Sequence, residues 1–95
     1  GGSAHHKQVG SALRLLFSDP NVRVVFVNIF GGMIHCDLIA YEIVEAVRSL
    51  RADQKIIVRL EGTDVDKGRQ IITNSGLPVI MVADMEEGMK RIGNL

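Results

Sequence analysis

The chain has 95 residues, and its 11 basic and 11 acidic side chains give a formal net charge of zero. This balance argues against a nucleic-acid binder or a membrane-surface protein that depends on bulk charge, and no stretch reaches the roughly 18 apolar residues of a membrane span. A chain of this length forms one small domain, and its single cysteine excludes an internal disulfide, so a reducing compartment is expected.

The first half of the chain is predicted to hold two helices with a strand between them. Apolar residues at helical spacing predict a helix over residues 7–17. The continuous apolar run within residues 23–29 is typical of a strand that is covered on both faces. A second apolar stripe predicts a helix that begins at Ile34 or Asp37 and ends at Arg51.

The second half repeats this alternation, with strands predicted over residues 55–60 and 78–82 and a helix after each strand. Short strands that alternate with helices indicate right-handed crossovers and a parallel sheet. The predicted fold class is therefore a three-layer α/β/α domain with at least three parallel strands. Because the first helix follows no strand, one edge of this thin sheet is expected to need a partner or a further strand.

Helix ends in the second half carry recognisable signals. Thr63, with Asp66 three residues later, resembles a capping box for the third helix. Gly76 is suited to end that helix because glycine tolerates the left-handed conformation of a C-terminal cap. Asp84 and Glu87 have the same spacing and predict the start of the last helix.

The segment after the first strand is the strongest candidate for a binding site. Gly31 and Gly32 lack a Cβ atom, so the chain can turn sharply there and bring its backbone close to a ligand. The N–H groups that open the next helix have no partners within the helix, and the helix dipole makes that end positive. Together these features predict a site for a phosphate or a carboxylate. An ordinary connection between a strand and a helix remains the alternative, because the full dinucleotide or P-loop spacing is absent.

The turns at residues 28–32, 61–64 and 83–84 are expected to share the carboxyl edge of the sheet, where such folds bind ligands. Two other functions of this fold class are disfavoured. A receiver-type phosphoacceptor domain needs an aspartate at a strand end beside an acidic pair, whereas the first strand here ends in Asn28. A flavodoxin-type flavin binder needs a phosphate loop rich in serine, threonine and glycine after that strand, and none is present.

Adjacent histidine and cysteine side chains raise the question of nucleophilic chemistry. His35 and Cys36 would point about 100° apart on a helix, and no third orienting residue is evident. We therefore expect no catalytic role, although a helix N-terminus lowers a cysteine pKa and modest thiol reactivity is expected. The pair His5 and His6 is expected to be solvated rather than to bind a metal.

Several charged and apolar residues have simpler explanations than a binding site. Asp64, Asp66 and Asp84 are better explained as helix caps than as a metal cluster. Arg59 interrupts an apolar strand and needs a partner carboxylate or an exposed position. Glu61 lies at a strand end, where a loop contact is plausible, and the four methionines are spaced as core residues.

Three segments in order resemble the C-terminal CoA-ligase domain of the succinyl-CoA synthetase (succinate–CoA ligase) β-subunit family. They are residues 27–37, 58–65 and 73–78, and the N-terminal Gly1-Gly2 pair with the following helix is similar to the family's glycine run. The resemblance covers essentially the whole chain. It implies a flavodoxin-like domain, with the family's first strand and its ATP-grasp domain lying outside this chain.

The resemblance also implies how a site would be shared. In this family the ATP-grasp domain binds ATP or GTP with magnesium, whereas the α subunit binds CoA and carries the phosphorylated histidine. It implies that the backbone of Gly32, Met33 and Ile34 contacts the succinate carboxylate, and that Asn28, Gly31 and Gly32 contact the phosphohistidine loop of the α subunit. No catalytic residue, metal ligand or cofactor is expected within this chain.

Two departures from the family pattern are His35, where an arginine is common, and Met33, where a small aliphatic residue is usual. The isolated chain is expected to be inactive. The alternatives are a stand-alone interaction module that docks on an α-type subunit, and a domain of a related enzyme such as malate–CoA ligase or an ATP–citrate lyase-like chain. The implied location is the bacterial cytoplasm or the mitochondrial matrix, without secretion.

Overall fold

A computed structural model describes residues 2–94, apart from the side chains of residues 2–5 and residue 32. Seven elements alternate along the chain as predicted. They are α1 (Gly2–Phe17), β1 (Val24–His35), α2 (Cys36–Val47), β2 (Lys55–Thr63), α3 (Val65–Asn74), β3 (Val79–Met81) and α4 (Met85–Gly93). None of the helices within residues 2–94 combines the length and the hydropathy that a membrane crossing requires.

The three strands form one parallel sheet in the order β1-β2-β3. The register between β1 and β2 is regular from the pair Val24–Lys55 to the pair Gly31–Gly62. The carboxyl ends of β1 and β2 therefore meet at one edge, which confirms the predicted position of the two glycine-containing segments. In this sheet β1 is an edge strand, as expected for a chain whose first helix follows no strand.

Helices cover the two faces of the sheet unequally, which confirms the three-layer α/β/α class. The central helix α2 packs against both α1 and α3, and these three helices lie on one face. Helix α4 lies on the other face, where Gly88 sits against the ring of Phe26. Because side chains alternate along a strand, Asn28, Phe30 and Arg59 share the α4 face with Phe26.

The core lies between the sheet and α2. Ile43 of α2 and Ile56 and Val58 of β2 are completely buried. The stripe predicted for the second helix is confirmed at Ile39, Ile43, Ala46 and Val47, which are all buried, whereas the predicted Leu50 lies beyond the helix end. The helix also buries three residues outside the predicted stripe, namely Cys36, Ala40 and Val44. Burying each such aliphatic side chain stabilises the fold by about 1.5–3 kcal/mol relative to exposure.

Most differences from the predicted bounds are longer or shorter ends. Helix α1 begins at Gly2 rather than at residue 7, and α2 ends at Val47 rather than at Arg51. Strand β1 continues to His35 and β2 to Thr63, because each glycine-containing segment that was predicted to turn pairs with the other instead. Local sequence could not reveal this pairing, since it joins residues about 30 positions apart.

The signals for two helix ends are confirmed. Asp84 has an extended backbone, and its Oδ1 accepts a hydrogen bond from the N–H of Glu87 at 2.8 Å. The Glu87 carboxylate accepts a hydrogen bond from the N–H of Ala83 at 3.0 Å, so the start of α4 is capped from both sides. Gly76 follows α3 with a φ of 69°, as the predicted left-handed end requires.

Helix α3 begins one residue later than the capping box of Thr63 and Asp66 predicts. Residue Asp64 occupies the N-cap position of α3, with a left-handed backbone at a φ of 57° and no capping hydrogen bond from its side chain. Asp66 forms an ion pair with Arg69 at 3.4 Å, one turn along the helix. The predicted register failed by one residue because β2 continues through Thr63.

A buried glutamine that the sequence did not single out joins the elements at the amino end of the sheet. Gln54 is 3% exposed. Its Nε2 donates hydrogen bonds to the carbonyls of Phe17 at 3.0 Å and Val22 at 3.1 Å, and its Oε1 accepts one from the N–H of Arg51 at 3.1 Å. One side chain thus connects α1, the turn before β1 and the turn before β2.

Candidate functional site

The carboxyl edge of the sheet contains an irregular segment in β1. The register jumps from the pair Gly31–Gly62 to the pair His35–Thr63, so residues 32–34 have no partner in β2. We call these three residues the 32–34 bulge. Such bulges bend a strand and redirect its side chains, and they are frequent beside binding sites.

Two glycines make this bulge possible. Gly31 and Gly62 have φ angles of 141° and 149°, which side chains rarely allow. A Cβ atom on Gly62 would lie 2.7 Å from the carbonyl oxygen of Gly31, so the two strands also approach too closely for a side chain. The sequence identified Gly31 as the feature that brings backbone close to a ligand, but it did not identify Gly62 as its cross-strand partner.

The start of α2 lies between the two predicted alternatives. The helix begins at Cys36, with His35 at the N-cap position. Gly32, Met33 and Ile34 therefore precede the helix and do not form its first turn. Any ligand contact by these three residues would use backbone that lies outside the β1–β2 ladder, beside the helix N-terminus.

The bulge carries exposed apolar side chains. Met33 is 88% exposed, and Phe30, just before the bulge, is 60% exposed. The prediction that the four methionines pack in the core is wrong for Met33, Met85 and Met89, which are all exposed, whereas Met81 packs partly buried against the core. Spacing alone could not separate them, because a residue on an apolar face is exposed wherever no element covers that face.

Arg59 organises the polar groups beside the bulge, and we call it and its three partners the Arg59 cluster. Its Nη1 donates a hydrogen bond to Oδ1 of Asn28 at 3.2 Å, and its Nη2 forms an ion pair with Glu61. Its guanidinium also lies 5.6 Å from the ring centre of Phe30. This confirms the expectation that Arg59 needs a carboxylate partner. Its Nε atom is buried without a hydrogen-bond partner.

Cys36 is inaccessible, so the expected thiol reactivity is wrong. The residue is 0% exposed. A Cβ atom on Gly68 of α3 would lie 2.7 Å from its carbonyl oxygen, which shows how closely α3 covers it. Burial, followed by the negative charge of Asp37, raises the pKa of the Cys36 thiol. The desolvation of the thiolate outweighs the helix N-terminus that was expected to favour it.

Three potential ligand side chains converge beside the bulge. One ligand atom from each of His35, Asp37 and Asp64 lies within 4.8 Å of the other two. His35 and Asp64 are exposed, and Oδ1 of Asp37 is buried without a hydrogen-bond partner. The prediction that Asp64 serves as a cap fails, because its side chain makes no capping hydrogen bond.

An apolar cavity of about 540 Å³ lies beside the bulge, between α1, β1 and the start of α2. Its apolar lining consists of Val9, Ala12, Ile29, Met33, Ile34 and Ile39. Of the two histidines near the chain start, His5 has a side chain outside the described part, and Nδ1 of His6 is buried without a hydrogen-bond partner.

The structure brings together most of the residues that the sequence predicted for the site. Asn28 and Gly31 lie at the end of β1, and Met33 and Ile34 lie in the bulge. Sequence reasoning missed the Arg59 cluster as a unit and the grouping of His35 with Asp37 and Asp64. The one available signal was that all these residues end or follow neighbouring parallel strands.

Comparison with known proteins identifies the family. The sequence model of the CoA-ligase family matches residues 1–91. Similar relatives include the beta subunit of ADP-forming succinate–CoA ligase from Jannaschia sp. (strain CCS1), which is 46% identical over 92 residues. The subunit of the same name from Chlamydia muridarum is 48% identical over 88 residues, and that from Blastocystis sp. subtype 1 is 44% identical over 91 residues.

These alignments cover 97%, 93% and 96% of this chain, but only 23%, 23% and 22% of the respective relatives. The chain thus spans about a quarter of the length of the curated relatives that it matches. The family match extends over nearly all of the chain and over every element of the α/β/α fold. On this basis, the chain belongs to the CoA-ligase family.

Proposed function

We propose that this chain is the C-terminal domain of the β subunit of a succinate–CoA ligase and that it docks on the α subunit through the carboxyl edge of its sheet. The observation that carries this proposal is the continuous match of nearly the whole chain to a quarter of such β subunits. The domain would then supply part of a shared site and would be inactive alone.

The surface at the carboxyl edge supports a docking role. Phe30 and Met33 are large apolar side chains, and both are exposed there. Arg59 contacts Phe30, Asn28 and Glu61, so this patch has a defined shape before any partner arrives. Exposed aromatic and methionine side chains beside an arginine are typical of the central part of protein interfaces.

The backbone of Gly32, Met33 and Ile34 is the proposed contact for the succinate carboxylate. These residues lie outside the β1–β2 ladder, so the register leaves them without a β2 partner. Backbone N–H groups can hold an anion without taking part in covalent steps. Asn28, Gly31 and Gly32 are proposed to meet the phosphohistidine loop of the α subunit, which would deliver the reactive group to this edge.

Cofactors are proposed to bind elsewhere in the assembly. ATP or GTP with magnesium belongs to an ATP-grasp domain of the longer β subunit, and CoA belongs to the α subunit. Cys36 is inaccessible and Arg59 is engaged by Asn28 and Glu61, so neither is available for chemistry on a substrate. The proposed location is the bacterial cytoplasm or the mitochondrial matrix.

The docking edge is tested by measuring affinity for a succinate–CoA ligase α subunit with the Met33→Asp variant. Because Met33 is almost fully exposed, the variant should fold normally yet place a desolvated charge in the interface, and we expect binding to weaken at least about tenfold. The matched control is Leu15→Asp, since Leu15 is 74% exposed on α1, whose C-terminal end lies at the opposite end of the sheet.

Equal affinity of the Met33→Asp and Leu15→Asp variants for the α subunit would contradict the proposal that the carboxyl edge docks there. Gly32→Glu provides a second variant, because a carboxylate beside the proposed anion contact should repel both succinate and the phosphohistidine loop. The enzymatic part of the proposal is tested in the assembled ligase, where Gly32→Glu should raise the KM for succinate. Succinyl-CoA formation by the 95-residue chain alone would contradict the proposal that it contributes only part of the site.

A further inference from the structure

The cluster of His35, Asp37 and Asp64 has a chemistry that docking and carboxylate binding do not explain. One ligand atom from each side chain lies within 4.8 Å of the other two, so a single ion could contact all three. The three residues come from the end of β1, the first turn of α2 and the N-cap position of α3. The fold therefore assembles this cluster from two neighbouring strand ends.

The two carboxylates of the cluster have no other cation. Among residues 2–94, no lysine or arginine lies within ion-pair distance of Asp37 or Asp64. Within the described residues, Lys67, the basic residue of α3 nearest in sequence to Asp64, is in no ion pair, and Arg69 is paired with Asp66. The helix dipoles of α2 and α3 stabilise negative charge at these positions, but a dipole does not neutralise two facing carboxylates.

Asp37 also provides an independent sign that a partner is expected. Its Oδ1 atom is buried and has no hydrogen-bond partner in the described part of the chain. Leaving a buried carboxylate oxygen without a donor or an ion costs about 1–3 kcal/mol, and more when the group is charged. Asp64 could have been a helix cap, but its side chain makes no capping hydrogen bond and remains near His35.

We infer that His35, Asp37 and Asp64 form a binding site for a divalent transition cation of the Zn²⁺ class. One imidazole nitrogen and two carboxylate oxygens are a donor set that suits Zn²⁺, whereas Mg²⁺ and Ca²⁺ prefer oxygen ligands throughout. Three protein ligands would leave one position of a tetrahedral ion open to water or to an external carboxylate. This inference goes beyond the proposed function, since it requires neither an α subunit nor succinate.

The distances require only a small adjustment. Ligand atoms around a tetrahedral Zn²⁺ with bonds near 2.0–2.1 Å lie roughly 3.4 Å apart, compared with the 4.8 Å limit observed here. His35 and Asp64 are exposed, so their side chains can rotate toward Asp37 without displacing core residues. An ion at this position would join the start of α2 to the start of α3, beside the 32–34 bulge.

The inference is tested by titrating the 95-residue chain with Zn²⁺ in a calorimeter and with Co²⁺ in an absorption spectrometer. We expect one ion to bind per chain. We also expect Co²⁺ to show visible absorption bands that appear only when protein ligands coordinate it. His35→Arg and Asp64→Asn each remove one ligand from an exposed position, and each should weaken binding at least about tenfold. Zn²⁺ should also raise the unfolding temperature of the unaltered chain and leave that of both variants unchanged.

Two controls make the result decisive. Asp66→Asn removes an exposed carboxylate of α3 outside the cluster and should bind Zn²⁺ like the unaltered chain. A chain with both His5→Gln and His6→Gln should also retain binding, which separates the cluster from the histidines near the chain start. Binding that is lost only in the His5/His6 variant, equal binding by all variants, or no binding by the unaltered chain would each overturn the inference. None of these results depends on docking, so the two proposals fail separately.

Discussion

The two ends of the sheet differ in the hydrogen bonding of their buried polar groups and in their backbone conformation. At the amino end, the buried Gln54 satisfies the backbone of three separate segments, and the N–H of Lys55 donates to the carbonyl of Arg23 at 2.7 Å. At the carboxyl end, Nε of Arg59 and Oδ1 of Asp37 are buried without hydrogen-bond partners. Within the described residues, the buried polar side chain at the amino end of the sheet is hydrogen-bonded, whereas two buried polar atoms at the carboxyl end have no partner.

Backbone geometry follows the same division. The positive φ angles of Gly31, Gly62 and Asp64 all fall at the carboxyl end. Phe30 and Met33 are also exposed there. The amino end has one positive φ angle among the described residues, that of Gly76, at a helix end where glycine fits without strain. Strained backbone and unsatisfied polar groups cost stability, and they concentrate where a protein binds something. The comparison teaches that the amino end stabilises this domain, whereas the carboxyl end has the features expected of the proposed contact edge.

The largest expected effect on stability comes from Gln54→Ala, which removes the hydrogen bonds that Gln54 makes at the amino end of the sheet. The change leaves the carbonyls of Phe17 and Val22 and the N–H of Arg51 without their partner, so we expect a loss of about 3 kcal/mol in the free energy of unfolding. Chemical denaturation measures this loss. Gln70→Ala, on an exposed part of α3, is the control and should change stability by less than about 0.5 kcal/mol.

A smaller effect is expected at the carboxyl end from Gly62→Ala. Its Cβ atom would lie 2.7 Å from the Gly31 carbonyl, and its φ of 149° disfavours any side chain, so we expect a loss of about 2 kcal/mol. Gly76→Ala is the matched control, because Gly76 also has a positive φ but no atom within 4 Å of the added group. It should cost about 1 kcal/mol, and equal losses would contradict the role of crowding in the bulge.

Arg59→Lys should separate binding from stability. Lysine keeps the charge but cannot reach Asn28, Glu61 and Phe30 with one planar group. We expect the free energy of unfolding to change by less than about 1 kcal/mol, while affinity for the α subunit falls several-fold. Arg69→Lys, at an exposed ion pair, should change neither quantity. A large loss of stability with unchanged affinity would mean that Arg59 belongs to the stabilising end instead.

The smallest expected effect concerns Cys36, which lies beneath the carboxyl end. Because the thiol is buried and its pKa is raised, iodoacetamide should leave it unmodified in the native chain at neutral pH. Alkylation should become fast once denaturant unfolds the protein, and mass spectrometry follows both rates. Rapid alkylation of the native chain would show that the start of α2 opens readily. Cys36 would then be as accessible to reagents as the exposed residues at the carboxyl end.

Most of the fold could be predicted from local sequence patterns. The alternation of helices and strands, the parallel sheet and the apolar stripe of α2 were predicted from periodicity and composition. The cap formed by Asp84 with Glu87 and the left-handed Gly76 were also predicted, because capping depends on neighbouring residues. The N-cap of α3 lies at Asp64, one residue later than predicted, because pairing with β1 extends β2 through Thr63.

Only part of the candidate site could be predicted from the sequence. Gly31 was identified correctly as a position that needs glycine, whereas the pairing of Gly31 with Gly62 was not visible. Cys36 was expected to be modestly reactive, since sequence shows a helix start but not the helix that covers it. Exposed Met33 was expected in the core, because spacing cannot show whether another element covers a face.

By itself, the sequence determined which segments are helices and strands, where one helix cap and one glycine end lie, and which family the chain resembles. These properties depend on residues within a few positions of one another, or on motifs that remain in order along the chain. Only the tertiary structure decided that residues 32–34 leave the ladder, that Gln54 joins three segments, and that His35 and Asp37 meet Asp64. The first and the third depend on the register between β1 and β2, and the second depends on how α1 packs beside the turn before β2. Long-range packing sets both, and no local pattern encodes them.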